Sequence, residues 1–410
     1  MSLAILLGAG ASIDSGMAST SEITDFLFSD NRALQNSDGS YSFGADPQRI
    51  AQTFPNDYIW KIKILLGALK TKIDLYHAPR PAHYEDIFYA VDQLASDYDG
   101  DFDNPSIRPM TRQMEAEIGE ILPRGLITIP YSDAWRKEHR VSTIGLDSMP
   151  RAVHEARRYI MDAITCLLAK TLTPDQLSPY QWIVDAFVDH PALPIFTLNH
   201  DTLMEQVFRG RNISFVDGFV PNANGMSNWN PAVLDGQPNL PRLLKLHGSI
   251  NWHYATARTT RHQSIISVQD YELARTQWDF GQADQRQFLA GVHNKLAAYT
   301  NPPYEDLRYQ FYRTLKTATS LVACGCSFGD KGVNTSIANW LENENGRKLI
   351  IIDPNTEAML GRSARPAISG KAQRWQIRGK LKTINRKMKD LTWRVVRDAL
   401  EDPSSTTAEP

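Results

Sequence analysis

Short, continuously apolar runs that end in polar residues recur at the start of this chain and again after about residue 190. Between them, helical periodicity dominates. The first apolar run, "LAILLG", predicts a strand that passes through "AGAS" toward a helix near Thr20–Phe28, where "STSE" supplies capping residues. Residues from about 30 to 57 are polar and loop-rich. Helices are then predicted for "NDYIWKIKILLGALKTKIDLY", "HYEDIFYAVDQLAS", "RAVHEARRYIMDAITCLLAK" and "PYQWIVDAFVDH", with short helices and prolines between Asp97 and Pro150. "LPIFTLNHD", "NISFVDGF" and "PRLLKLHGSINW" read as strands. Farther on, the helix "YEDLRYQFYRTLKTA" feeds the strand "SLVACGCSFGD", and "VNTSIANWLENENG" feeds "RKLIIIDPN".

Strands that run apolar into a polar tip, alternating with helices, are the pattern of a parallel sheet covered on both faces. The predicted fold is therefore α/β, a Rossmann-like parallel sheet plus a large, mainly helical insertion. The sheet domain is expected over 1–50 and 190–370, with the insertion at 51–189. In the stretch 371–400, Ile377, Leu381, Ile384, Met388, Leu391 and Val395 recur at spacings of 4 and 3, which predicts one basic helix with an apolar seam. The last ten residues, 401–410, are expected to be disordered.

Composition narrows the class. At 410 residues the chain exceeds one ordinary core. A formal net charge of -2 provides no whole-chain attraction to nucleic acid or anionic lipid, so such a role would need a local patch. No apolar run reaches the roughly 18–20 residues of a membrane span, and "LAILLG" is too short for a signal sequence. Cys166, Cys324 and Cys326 are too few for a disulfide framework or a four-thiolate zinc site; free buried thiols and a reducing cytoplasm are expected.

Candidate chemistry sits at the strand tips, where open α/β sheets bind ligands. Gly8 and Gly10 let backbone approach a pyrophosphate, or serve only as a tight turn. "TLNHD" sets Thr197, Asn199 and Asp201 in alternation, able to grip an amide or a ribose hydroxyl; an Asx turn capping the next helix is the competing reading. His247 precedes Gly248 at the third tip, where a lone histidine is more often a packed structural residue, and His200, His253 and His262 are left to that same reading. "GCSFGDKGVN" offers a second glycine–serine turn with Asp330 and Asn334, and "IIIDPN" ends in Asp353 and Asn355, suited to a ribose or to a plain turn.

GAGAS, then NHD, then HG, then GxSF, then an acidic strand end is an order that resembles the sirtuin-like NAD-binding family, bacterial zinc-free branch, over about residues 1–28 and 190–355. The resemblance implies that NAD+ is the substrate, with the turn carrying Gly8, Ala9, Gly10, Ala11, Ser12 and Asp14 at its pyrophosphate. It implies that Asn199 holds the ribose and the attacking water, that Asp201 contacts the carboxamide and that His247 acts on the ribose hydroxyls. Thr197, Gly325, Ser327, Phe328, Asp330, Asn334, Asp353 and Asn355 are the other implied binding residues, the later ones near the phosphates or the adenosine half.

Sirtuin deacylases carry two CxxC pairs for zinc, and this chain has none, so water is the expected acceptor and no zinc is expected. The implied activity is NAD+ hydrolysis to nicotinamide and ADP-ribose. The resemblance extends to antiphage effectors that deplete NAD+ as oligomers with a HerA-type hexameric ATPase, touching nucleic acid only indirectly and membrane not at all. The alternatives are a deacylase or ADP-ribosyltransferase, or a non-catalytic subunit that senses NAD+ or ADP-ribose or acts on DNA.

Overall fold

Five of the predicted apolar runs form strands of one sheet, and its sixth strand comes from the stretch predicted to be a basic helix. The computed structural model describes residues 2–36, 39–44, 57–100, 108–121, 149–221, 226–269, 271–280, 286–291 and 299–401. The sheet strands are β1 (Leu3–Leu7), β2 (Pro194–Thr197), β3 (Arg242–Lys245), β4 (Ser320–Cys324), β5 (Lys348–Ile352) and β6 (Leu381–Ile384). Their order is β3-β2-β1-β4-β5-β6, and every adjacent pair is parallel. This is the Rossmann order, whose direction of progression reverses between β1 and β4. All carboxyl ends therefore line one edge, with the reversal at its centre.

Side-chain alternation along these strands feeds two apolar layers. Leu3, Ile5 and Leu7 join Ile195, Val322 and Ile350 on one face, against α6 (Gln181–Asp189), α7 (Leu203–Gly210) and α11 (Trp393–Glu401). Ala4 and Leu6 join Phe196, Leu321 and Ile351 on the other, against α8 (Tyr304–Thr317), α9 (Lys331–Asn343) and α10 (Pro366–Ile377). Full burial of each Leu or Ile stabilises by about 1.5–3 kcal/mol, which is why both faces must be covered.

The chain packs as two compact units, Met1–Glu22 with Leu167–Pro410, and Ile23–Cys166. The boundaries thus differ from those expected at 50 and 189. Trp182, Ile183 and Ala186 of α6 are buried in the sheet's own apolar layer, so that predicted helix belongs with the sheet.

The second unit is mainly helical, with α2 (Asp57–His77), α3 (Tyr84–Asp99), α4 (Arg108–Ile121) and α5 (Met149–Leu168) following α1 (Thr20–Phe28). On α2 the buried positions Ile62, Leu65, Leu66 and Leu69 keep the spacing of one helical face. A small hairpin of Leu34–Gln35 and Tyr41–Ser42 is tied to α5: the Tyr41 N–H donates to Asp162 Oδ2 (2.6 Å) and its hydroxyl to Glu155 Oε2 (2.7 Å). Among the described residues, no helix is long and apolar enough to cross a membrane.

Four expectations change. The stretch 371–400 is not one helix but the end of α10, then β6, a short 3-10 turn at Met388–Asp390, and α11. Gly379, in the left-handed region at φ 64°, ends α10, and Lys380 N–H closes back on the Trp375 carbonyl at 2.8 Å. Ile377, the first residue of the expected seam, is 76% exposed. Second, "NISFVDGF" supplies only a bridge from Val216 to Arg242 before Phe219 enters another sheet.

Third, "PRLLKLHGSINW" is two strands: β3 stops at Lys245, and Gly248–Ala257 enters an antiparallel sheet with Phe219–Pro221, Ser227–Trp229, Gln263–Ser267, Trp278–Asp279 and Arg286–Phe288. Short strands with loops between them left little periodicity to read. Fourth, Cys324 and Cys326 are buried but Cys166, in α5, is exposed. Of the tail expected at 401–410, Glu401 ends α11 and 402–410 lie outside the described residues.

Candidate active site

The turns after β1 and β4 lock together through their backbones at the strand-order reversal. Gly8 N–H donates to the Cys324 carbonyl (3.0 Å) and Gly10 N–H to the Gly325 carbonyl (3.0 Å). Gly325 sits at φ 63°, and a Cβ there would lie 2.1 Å from Ala11 N; one on Gly8 would lie 2.5 Å from the Gly325 oxygen. These glycines thus have a packing reason to be glycine as well as any ligand reason. Ala9 and Gly10 are exposed, while Ala11 and Ser12 are buried in a 3-10 helix, Ala9–Ser15. Asp14, half-buried, accepts Lys389 N–H at 3.1 Å.

Ser12 joins the first two tips. Its hydroxyl donates to Asp201 Oδ2 (3.0 Å), accepts from Asn199 Nδ2 (2.9 Å) and lies 3.3 Å from the Tyr180 hydroxyl. Asn199 Nδ2 also donates to the Gly8 carbonyl at 3.0 Å, and Thr197 Oγ1 accepts Asn199 N–H at 3.0 Å. Asn199 is buried, yet among the described residues its Oδ1 has no hydrogen-bond partner. A buried acceptor left open costs about 1–3 kcal/mol, a sign of a place prepared for something else.

Asp201 does two things at once: Oδ1 accepts Leu203 N–H (3.0 Å) to start α7, as the Asx reading expected, and Oδ2 takes Ser12. Burial raises its carboxyl above the usual range, opposed by the nearby Lys245 ammonium. Lys245, at the end of β3 and fully buried, donates to the Asp201 carbonyl and to Glu205 Oε1 (2.8 Å). Asp217, close by, is pushed by burial up to about 6.

His247 follows β3, and its Nε2 lies 3.0 Å from Asp330 Oδ2 and 3.1 Å from the Tyr299 hydroxyl. Tyr299 donates to the same Oδ2 at 3.0 Å, and the Arg308 guanidinium lies over its ring at 4.6 Å. Asp330 Oδ1 accepts Val333 N–H at 2.8 Å and so caps α9. Asn334 Nδ2 donates to the Phe328 carbonyl at 2.6 Å, holding Phe328 at φ 52°. Ser327, beside it, is exposed.

The fifth tip stays apart from this network. Asp353 is half-buried and its Oδ1 accepts Asn355 N–H (2.8 Å); Asn355 is exposed and caps its own short helix through Ala358 N–H (3.0 Å). The predicted turn accounts for these bonds.

The structure also brings in side chains the sequence reading left out. Tyr180 precedes α6, Tyr299 precedes α8, and Lys245 sits in an apolar run; only Lys245 had a legible signal, a charge in a strand otherwise apolar. His200 is buried with its ring 6.3 Å from that of His247, whereas His262 is exposed and not packed as expected.

Among solved structures, a mutant Sir2 homologue in complex with ADP-ribose aligns over 100% of this chain and 94% of its own, at 12% identity and a TM-score of 0.38. A Sir2 homologue–NAD complex aligns over 97% and 88%, at 12% identity and a TM-score of 0.37. No curated protein matches the sequence. Residues 194–378, which begin with β2 and carry Asn199, Asp201, His247, Asp330 and Asp353, match the family model described as a SIR2-like domain.

Proposed function

We propose that this chain is a sirtuin-like NAD+ hydrolase. The observation that carries the reading is the meeting of Ser12, Asn199 and Asp201 beside the glycine turn, with a buried amide oxygen left without a partner among the described residues. The backbone of Gly8–Ser12 and Gly325 receives the pyrophosphate at the strand-order reversal, where Rossmann sheets take dinucleotides. Asn199 positions the nicotinamide ribose and a water, and Asp201 meets the carboxamide. Thr197, Phe328 and Asn334 shape the tips that hold the ligand, and Ser327, Asp353 and Asn355 serve the phosphates or the adenosine half.

The C–N bond breaks with its electron pair going to the pyridinium ring, so nicotinamide leaves neutral without protonation. The sugar passes through an oxocarbenium-like state, as in glycoside hydrolysis. Water adds at that carbon and loses its proton, yielding ADP-ribose, with His247 as base or hydrogen-bond partner at the ribose hydroxyls. In its finer form the reading is a cytoplasmic, oligomeric antiphage effector whose activity is released by a HerA-type hexameric ATPase.

The test is nicotinamide release from NAD+ by the purified chain, alone and with that ATPase. Release is expected to fall by about 10²-fold or more in Asn199→Ala and by about 10²–10⁴-fold in His247→Ala. Tight NAD+ binding with no release under either condition would overturn the hydrolase and leave a sensor. Release only with an added peptide or protein acceptor would identify a transferase or deacylase.

A further inference from the structure

The resemblance set Asp330 near the phosphates or the adenosine half; the structure shows it bonded to His247 and Tyr299. β3 and β4 are separated in the sheet by β2 and β1, yet the segments that follow them bring His247 and Asp330 together across those two tips. Both side chains are buried, 3% and 7% exposed. The carboxylate is fixed at both oxygens: Oδ1 by the first turn of α9, Oδ2 by His247 and the Tyr299 hydroxyl.

We propose that Asp330 is the positioning carboxylate of His247, forming with Tyr299 a buried relay that sets the imidazole's orientation and tautomer. This rests on the hydrolase reading for its catalytic meaning. With Nε2–H donated to Asp330, the neutral ring carries its lone pair on Nδ1, the nitrogen that accepts a proton. The proton leaves a ribose hydroxyl or the attacking water, the imidazolium forms, and Asp330 stays ionised and stabilises it. Tyr299 moderates that charge by donating to the same oxygen, and Arg308 over its ring holds the phenol in place. The titratable groups facing His247 include Asp330, Tyr299 and His200.

The decisive measurement is the pH titration of His247 in full-length protein labelled with ¹³Cε1-histidine, its resonance assigned with His247→Gln. Asp330→Asn preserves the size and the helix cap but removes the charge. The His247 pKa is expected to fall by about one pH unit or more in that variant, as for loss of an opposite charge in contact. Tyr299→Phe removes a competing donor and should move it the other way. Opposite-signed shifts are not produced by a merely structural role.

A His247 titration unchanged in both variants, or shifted in the same direction by both, overturns the proposal. If Asp330→Asn does not fold, Asp330→Ser, which restores only the cap, supplies the same comparison with Tyr299→Phe. In activity, Asp330→Asn should move the rising limb of the kcat/KM pH profile to lower pH and lower its plateau by about tenfold or more. Should the protein release no nicotinamide either alone or with the ATPase, the hydrolase reading fails and the titration still decides the relay.

Discussion

The tips of β2 and β5 are built from the same residue types and behave differently. Each presents an Asn and an Asp just past an apolar strand. At β2, Asn199 and Asp201 are buried, share Ser12 from the neighbouring β1 turn, and leave one amide oxygen without a partner among the described residues. At β5, Asp353 and Asn355 bond to their own turn, and Asn355 faces solvent. A polar strand tip becomes a candidate catalytic site when the adjacent strand supplies a second buried partner. Residue identity at the tip is not sufficient.

The strongest way to break the contrast is to separate the turns that frame the linked tip. Gly325→Ala places a Cβ 2.1 Å from Ala11 N at a positive φ, so the β1 and β4 turns must part. A loss of about 3 kcal/mol or more is expected, read as a fall in Tm and in denaturant midpoint. Unchanged stability would mean that the interlock is not required.

A paired substitution sharpens the contrast. Ser12→Ala strips partners from Asn199, Asp201 and Tyr180 together and should cost about 1–3 kcal/mol. Asn355→Ala removes one exposed cap and should cost about 1 kcal/mol or less. Isothermal titration with NAD+ should show the larger loss for Ser12→Ala; equal losses would erase the distinction between the two tips.

A pH-dependent effect concerns charge behind the linked tip, where Lys245 faces Glu205 and the neighbouring Asp201. Burial raises Asp217 from 3.8 to about 6, so the folded state favours its neutral form. Its contribution is then fully present below pH 3.8 and is lost as pH rises through about 6. Asp217→Asn should match the intact protein near pH 4 and exceed it by about 1–2 kcal/mol at pH 7.5, with the full shift discounted for partial exposure. Denaturant unfolding at the two pH values measures it, and a difference that does not grow with pH would refute the assignment.

Much of the parallel sheet was legible because its strands are short apolar runs flanked by helices, a local pattern. The glycine turn, Asn199, Asp201 and His247 were legible because polar residues after such runs must lie at the carboxyl edge. The antiparallel sheet was not, since its short strands pair with partners fixed by packing. Lys380 illustrates the misread tail: counted as part of a basic helix face, it is buried and donates to the Leu341 and Glu344 carbonyls at 2.8 and 3.0 Å, closing the end of α9.

By itself the sequence determined the strand–helix alternation, the tips and the order of their motifs, because strand burial and turn chemistry act over a few neighbouring residues. Tertiary structure decided which tips meet. Pairing of β1 with β2 and β4 is non-local, and it set Ser12 against Asn199 and Asp201, while the segments after β3 and β4 set His247 against Asp330. It also turned residues 381–384 into an edge strand, because a left-handed glycine ended the helix and β5 offered an unpaired edge whose hydrogen bonds had to be satisfied.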